Sequence, residues 1–154
     1  MKITDALIAE HVVFHTLFDE AENLLSQSSS LPEVRATCAL VGRLLERHSI
    51  AEHDLLLPSI DPYLEQIGQM KNFHKEDDVI VALLQKAATS ESCDEASKTL
   101  RKAIQFSREH FDKEERIIFP LADKNLKLES LEQLGEEWAK LNEVRAPSPK
   151  VTEI

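Results

Sequence analysis

Two stretches of this chain share one frame. HSIAEHDLLLP, residues 48–58, and HFDKEERIIFP, residues 110–120, both read His-x3-Glu-x5-Pro, with a Leu- or Ile-rich run before the proline. Residues four apart on an α-helix lie one above the other on the same face. Each copy therefore predicts a helix that presents an imidazole, His48 or His110, and a carboxylate, Glu52 or Glu114, from one stripe. Two such helices facing each other would line a site with histidine and acid on both walls. Few glycines and long Leu/Ala/Glu/Lys-rich stretches favour helix over sheet throughout.

Hydrophobic periodicity predicts the remaining helices. Residues 4–26 form the first, with Thr4 as N-cap and Leu7, His11, Phe14, His15, Phe18 and Leu25 on one face. The serine-rich break at 26–30 leads to a second helix, opened by a Ser30–Glu33 capping box. Its stripe runs Val34, Cys38, Val41, Leu45, His48, Glu52, Leu55 and Leu56, and Pro58 or the Asp61-Pro62 pair ends or bends it. A short turn over 62–69, interrupted by Gly68, precedes a third helix over 70–88. That helix carries Phe73, His74, Val81 and Leu84 inward, with Asp77 and Asp78 competing for the same direction. Ser92 and Glu95 cap a fourth helix, about 94–119, with Leu100, Ala103, Ser107, His110, Glu114 and Ile118 inward, and Pro120 kinks or stops it. A polar link at 123–129 and a Ser130–Gln133 cap introduce a fifth helix, about 131–144, with Leu131, Leu134, Trp138 and Leu141 on one side.

These elements predict an all-α fold, an up-down-up-down four-helix bundle with an additional C-terminal helix. One domain spans 1–145, with its core over 5–122, and 146–154 form a flexible tail. In that topology the second and fourth helices run the same way, so their histidines, each ten residues before its proline, share a depth. His11, His15 and His74 fall near the starts of the other two, at the matching end of the bundle.

A single histidine on an apolar stripe is most often a hydrogen-bonded core residue. An inward carboxylate is harder to explain, because burying an ionised acid costs several kcal/mol unless it is paired or bound to a cation. Cross-core His–Glu ion pairs would satisfy part of the pattern. Metal binding accounts for all of it. The set His11, His15, His48, Glu52, His74, His110 and Glu114, with Asp78 as a further candidate, exceeds what one tetrahedral zinc needs and suits two ions. Imidazole and carboxylate without thiolate fit iron, manganese or zinc. His53 is rotated off the stripe and reads as peripheral.

The net charge of −10 argues against nucleic-acid partners and anionic membrane surfaces. Two cysteines make no disulfide framework, and no apolar run is long enough to span a bilayer, so a cytoplasmic protein is expected.

With Glu10-His11, His48-x3-Glu52, His74, and His110-x3-Glu114 followed by Phe119-Pro120, residues 5–122 resemble the hemerythrin-like (HHE cation-binding) family. The resemblance implies a four-helix bundle around two non-haem iron ions with an oxo or hydroxo bridge. It makes His11, His48, His74 and His110 terminal ligands and Glu52 and Glu114 bridging ones. It further implies that one iron keeps an open position for O2 or a related diatomic or peroxide. The chain departs from the animal oxygen carriers of that family. They have His-x3-His on the third helix, where this chain has His74-x3-Asp78, and they close the fourth with His-x4-Asp, where this chain has His110-x3-Glu114. His15 is then a candidate for the missing imidazole. Three functions are compatible with this reading: a di-iron protein that binds O2 or senses iron and oxygen; an enzyme acting on peroxide or nitric oxide, or in iron–sulfur cluster repair; and a metal-free interaction bundle docking through Trp138. The oligomeric state is left open.

Overall fold

A computed structural model describes residues 1–27, 29–68 and 70–142, with the backbone alone described for 70–74. Among the described residues every regular element is helical. The helices are α1 (Ile3–Ser26), α2 (Leu31–Ala51), α3 (Leu57–Gln66), α4 (Met70–Thr89), α5 (Cys93–Lys113), α6 (Phe119–Asn125) and α7 (Leu128–Asn142). A π-helical turn, Glu52–Leu56, carries α2 directly into α3, and a second, Glu114–Ile118, carries α5 into α6. The helices pack as a bundle in which α4 lies against both α2 and α5, and α7 lies along α1.

The prolines of the repeated frame do not stop its helices. Leu57 N–H donates to the Glu52 carbonyl, and Phe119 N–H to the Glu114 carbonyl, each five residues back. This wider turn restarts the hydrogen-bond ladder, so Pro58 and Pro120 fall in a first helical turn, where a missing N–H leaves no gap. Pro62 is likewise inside α3, which ends at Gln66 and is followed in its turn by Gly68, the one described glycine with a positive φ (71°). The predicted polar link at 123–129 shrinks to residues 126–127, because α6 continues to Asn125.

Two of the expected helix caps form. Ser30 N–H donates to Glu33 Oε2 at 2.7 Å, and Glu95 N–H donates to Ser92 Oγ at 3.4 Å. Two do not. The first helix begins at Ile3, and the Thr4 hydroxyl instead donates to Asp123 at 2.9 Å. The fifth helical stretch begins at Leu128, which leaves Ser130 inside it. Its predicted end at 143–144 and the 146–154 tail lie outside the described residues.

Continuing the helices past Pro58 and Pro120 moves the histidines from the end of the bundle to its middle. One apolar core, with Phe14, Phe18, Val41, Leu84, Leu100, Ile104 and Phe111, lies on one side of them. A second, with Ile3, Leu7, Leu56, Ile60, Ile118, Phe119 and Leu131, lies on the other. His11 sits between Leu7 and Phe14 on α1, and His110 and Glu114 between Ile104 and Ile118 on the α5–α6 stretch. A polar layer is thus enclosed by hydrocarbon on both sides, where any unpaired charge is costly.

Candidate metal centre

His11, His48, Glu52 and Glu114 are all buried, and one donor atom from each lies within 4.8 Å of the others. Glu114 is the hub. Its Oε1 is 2.9 Å from His110 Nε2, and its Oε2 is 3.2 Å from His11 Nε2. His48 Nε2 is 3.4 Å from Glu52 Oε1, one helical turn on, and 3.2 Å from His11 Nε2. The π turns begin at Glu52 and Glu114 themselves, so the backbone irregularity falls at the two acids of the site.

Among the described residues, each inward imidazole is held from behind by an acid. Nδ1 of His48 meets Glu10 at 2.6 Å, Nδ1 of His11 meets Glu115 at 2.9 Å, and Nδ1 of His110 meets Glu76 at 3.1 Å. A carboxylate on Nδ1 fixes the tautomer with its proton there and turns the lone pair of Nε2 inward. For His11 and His48 this aims two lone pairs at each other across 3.2 Å, an arrangement that calls for a proton or a metal cation between them. Lys113 bonds the other oxygen of Glu76, and Trp138 Nε1–H donates to the other oxygen of Glu10 at 3.1 Å.

The electrostatics of the metal-free site carry the same message. Burial pushes the His48 imidazole down, but the charge of Glu52 and the bond to Glu10 outweigh it and raise its pKa to about 10. Burial also opposes charge on His110, yet Asp77 and Glu114 raise it to about 11. Glu52 is raised, by burial first and then by the neighbouring Glu114 charge. Glu114 is held below the usual carboxylate range, because its bonds from His11 and His110 outweigh its burial. Raised values at His48 and His110 let these two imidazoles offset the acids of the layer. A cation does the same work with fewer protons, so these donors fit a metal bound through nitrogen and oxygen.

Not every residue named from the sequence arrives here. His15 is half-buried one turn from His11, edge-on to the Phe111 ring, and its Nδ1 faces the Arg108 guanidinium at 3.4 Å. Phe111, stacked on His11 at 3.9 Å, separates His15 from the cluster. Asp78 is exposed, and Asp77 takes the inward direction on α4. Asp77 Oδ1 is 3.1 Å from His110 Nε2 and its Oδ2 is 2.7 Å from His53 Nε2. The four-residue spacing from His74 favours Asp78, but the packing of α4 against α5 selects its neighbour. His74 is on α4, and its side chain lies outside the described residues. His53 is brought to the rim through Asp77. Glu76 and Glu115 are legible in the sequence only as members of charged runs, and Glu10 only as the residue before His11.

A groove of about 800 Å³ runs between α2 and α4 to the polar layer. Cys38, Gly42, Leu45, Ile80 and Leu84 line its apolar length, and His48, Glu52, His53, Asp77 and His110 its polar part. His11 and Glu114 lie behind that wall.

The family model for the hemerythrin HHE cation-binding domain matches residues 2–122. The chain therefore belongs to the hemerythrin HHE cation-binding family. No curated protein and no solved structure matches it. The matched span holds the whole described cluster and ends before α7. No helix among the described residues is long and apolar enough to cross a membrane.

Proposed function

We propose that this chain is a non-haem di-iron protein that binds O2 or a related small ligand at the polar layer, or uses it to sense iron and oxygen. The observation that carries this reading is the buried group His11, His48, Glu52 and Glu114, together with an acid on the far side of each inward imidazole. His11, His48, His74 and His110 would be terminal ligands, and Glu52 and Glu114 would be shared between two ions. Manganese or zinc suits the same donors. Bound iron would supply an open coordination position and one-electron redox chemistry. The residues of the chain supply the rest. Glu10, Glu76 and Glu115 hold the imidazoles in one tautomer, Phe111 and Phe119 keep water from the His11 side, and the groove admits a ligand beside Glu52. We place the domain at 1–145, with the up-down-up-down topology of the family, and the two free cysteines support a reducing, cytoplasmic setting.

The test is anaerobic Fe(II) loading followed by air. About two irons per chain and the ultraviolet–visible bands of an oxidised di-iron centre are expected. One iron per chain or none, or no change on exposure to air, would count against the proposal.

One observation favours the enzyme as a second reading. His53 is partly exposed on the groove wall and bonded through Asp77 to His110, so it can pass a proton between solvent and the site at its Nε2. Turnover of peroxide or nitric oxide by the loaded protein, or repair of an iron–sulfur cluster, lost in His53→Gln with metal content unchanged, would support it.

A further inference from the structure

Helix α7 lies outside the span that the family model matches, yet it touches the metal layer through a chain of hydrogen bonds. Trp138 Nε1–H donates to Glu10 Oε1 at 3.1 Å, and Glu10 Oε2 meets His48 Nδ1 at 2.6 Å. Each oxygen of the one carboxylate thus has its own partner. The helix is seated by contacts independent of this chain. Gly135 presses on the N-terminal backbone so closely that a Cβ there would stand 2.1 Å from the Met1 carbonyl oxygen. Leu131 is buried in the second apolar core, and Arg47 on α2 reaches Asn142 Oδ1 at 3.1 Å. An indole donor carried by a separately seated helix is therefore aimed at the acid that orients a ligand histidine.

From this juxtaposition we infer that Trp138 is a positioning residue for His48, acting through Glu10, and that the docking of α7 and the binding of metal at His48 are linked. The inference rests on the metal-centre reading above. With the indole in place, Glu10 is held at both oxygens and cannot swing to solvent, so His48 keeps its Nε2 lone pair inward. With α7 undocked, Glu10 is held by His48 alone. Linkage is reciprocal: a helix that favours the metal-bound geometry is itself held more firmly once metal binds.

The experiment is a double-mutant cycle on the full chain with Fe(II) under anaerobic conditions, read by competition with a chelator. Glu10→Gln is expected to weaken Fe(II) binding about 10- to 100-fold, since an amide has only one oxygen to divide between the indole and the imidazole. Trp138→Phe keeps a ring in place but removes the donor, and should weaken binding by a smaller factor, about threefold to tenfold. A relay acts in series, so the double variant should bind no more weakly than E10Q alone. Multiplied effects, or W138F binding within about twofold of the wild type, overturn the relay. Amide exchange gives the reciprocal reading: Fe(II) should slow exchange across 128–142 in the wild type but not in E10Q. Equal slowing in both overturns the proposal, and this arm stands even if W138F fails to fold. A wild-type chain that takes up no Fe(II) overturns the metal-centre reading instead. The metal-free chain then decides the relay: exchange across 128–142 should quicken in W138F and in E10Q, and no further in the double variant.

Discussion

The two copies of the His-x3-Glu-x5-Pro frame have the same backbone but different surroundings. Both run helix, π turn, helix, with the π turn starting at the glutamate and the proline in the turn that follows. In the second copy Glu114 lies within 3.2 Å of two imidazoles, from two helices, and its pKa is lowered. In the first, Glu52 meets only the His48 of its own helix among the described residues, faces the groove, and is raised towards protonation. A repeated sequence thus reproduces local geometry, while the charge state of each acid is set by what the neighbouring helices bring to it.

The largest test of that contrast compares Glu114→Gln with Glu52→Gln in chelated protein. Glu114→Gln leaves His11 and His110 without their shared counter-charge and should cost about 3–5 kcal/mol. Glu52→Gln relieves repulsion with Glu114 but takes a counter-charge from His48, so its cost should be clearly smaller than that of Glu114→Gln. Urea unfolding measures both, and equal losses would erase the distinction between the copies. Metal content should fall in either variant.

Next in size is the response to pH. The folded-state values of His48 and His110 are raised, so their contribution to the stability of the metal-free chain is fully present below the ordinary value of 6.5. It is lost as pH rises through about 10 to 11. Glu114 is depressed, so its contribution is present above 4.5 and lost in strong acid. Metal binding displaces the imidazole protons and should strengthen as pH rises. Thermal melts of chelated and loaded protein between pH 6.5 and 10 should therefore diverge, the chelated form losing stability and the loaded form holding it.

A smaller effect sharpens the contrast from the groove side. A Cβ at Gly42 would meet only Leu84 Cδ1, at 4.0 Å, so the groove has room for a side chain there. Gly42→Leu should change stability by less than about 1 kcal/mol, because a helical glycine gives way to a better helix former. It should also narrow the approach to Glu52 and slow the removal of bound metal by a bulky chelator. An unchanged rate would mean that the metal is reached by another route.

Much of the buried polar layer could be read from one sequence because its residues repeat at helical spacing. His11, His48, Glu52, His110 and Glu114 stand on stripes that the period of 3.6 residues defines by itself. Elsewhere the surroundings in the fold overrode the local pattern. Asp78 fits the spacing from His74 better than Asp77 does, and only the seating of α4 against α5 turns Asp77 inward. His15 has the right spacing from His11, but a Phe111 ring from another helix blocks it. Pro58 and Pro120 carry a helix-stopping signal in any local reading, and the π turn that absorbs them has no comparably clear signature.

The sequence alone was enough for the helical class and for most of each apolar face, because these depend on residues within a turn or two of one another; Val81 and Leu141, read as part of such faces, are exposed. Tertiary structure decided the rest. It placed the polar layer between two cores rather than at an end, chose Glu10, Glu76 and Glu115 to orient the histidines, and brought Trp138 from α7 to Glu10. Those partners are 34 to 128 residues apart in the chain, and the packing angles between helices, rather than any local period, determine which of many exposed acids lands on a ring nitrogen.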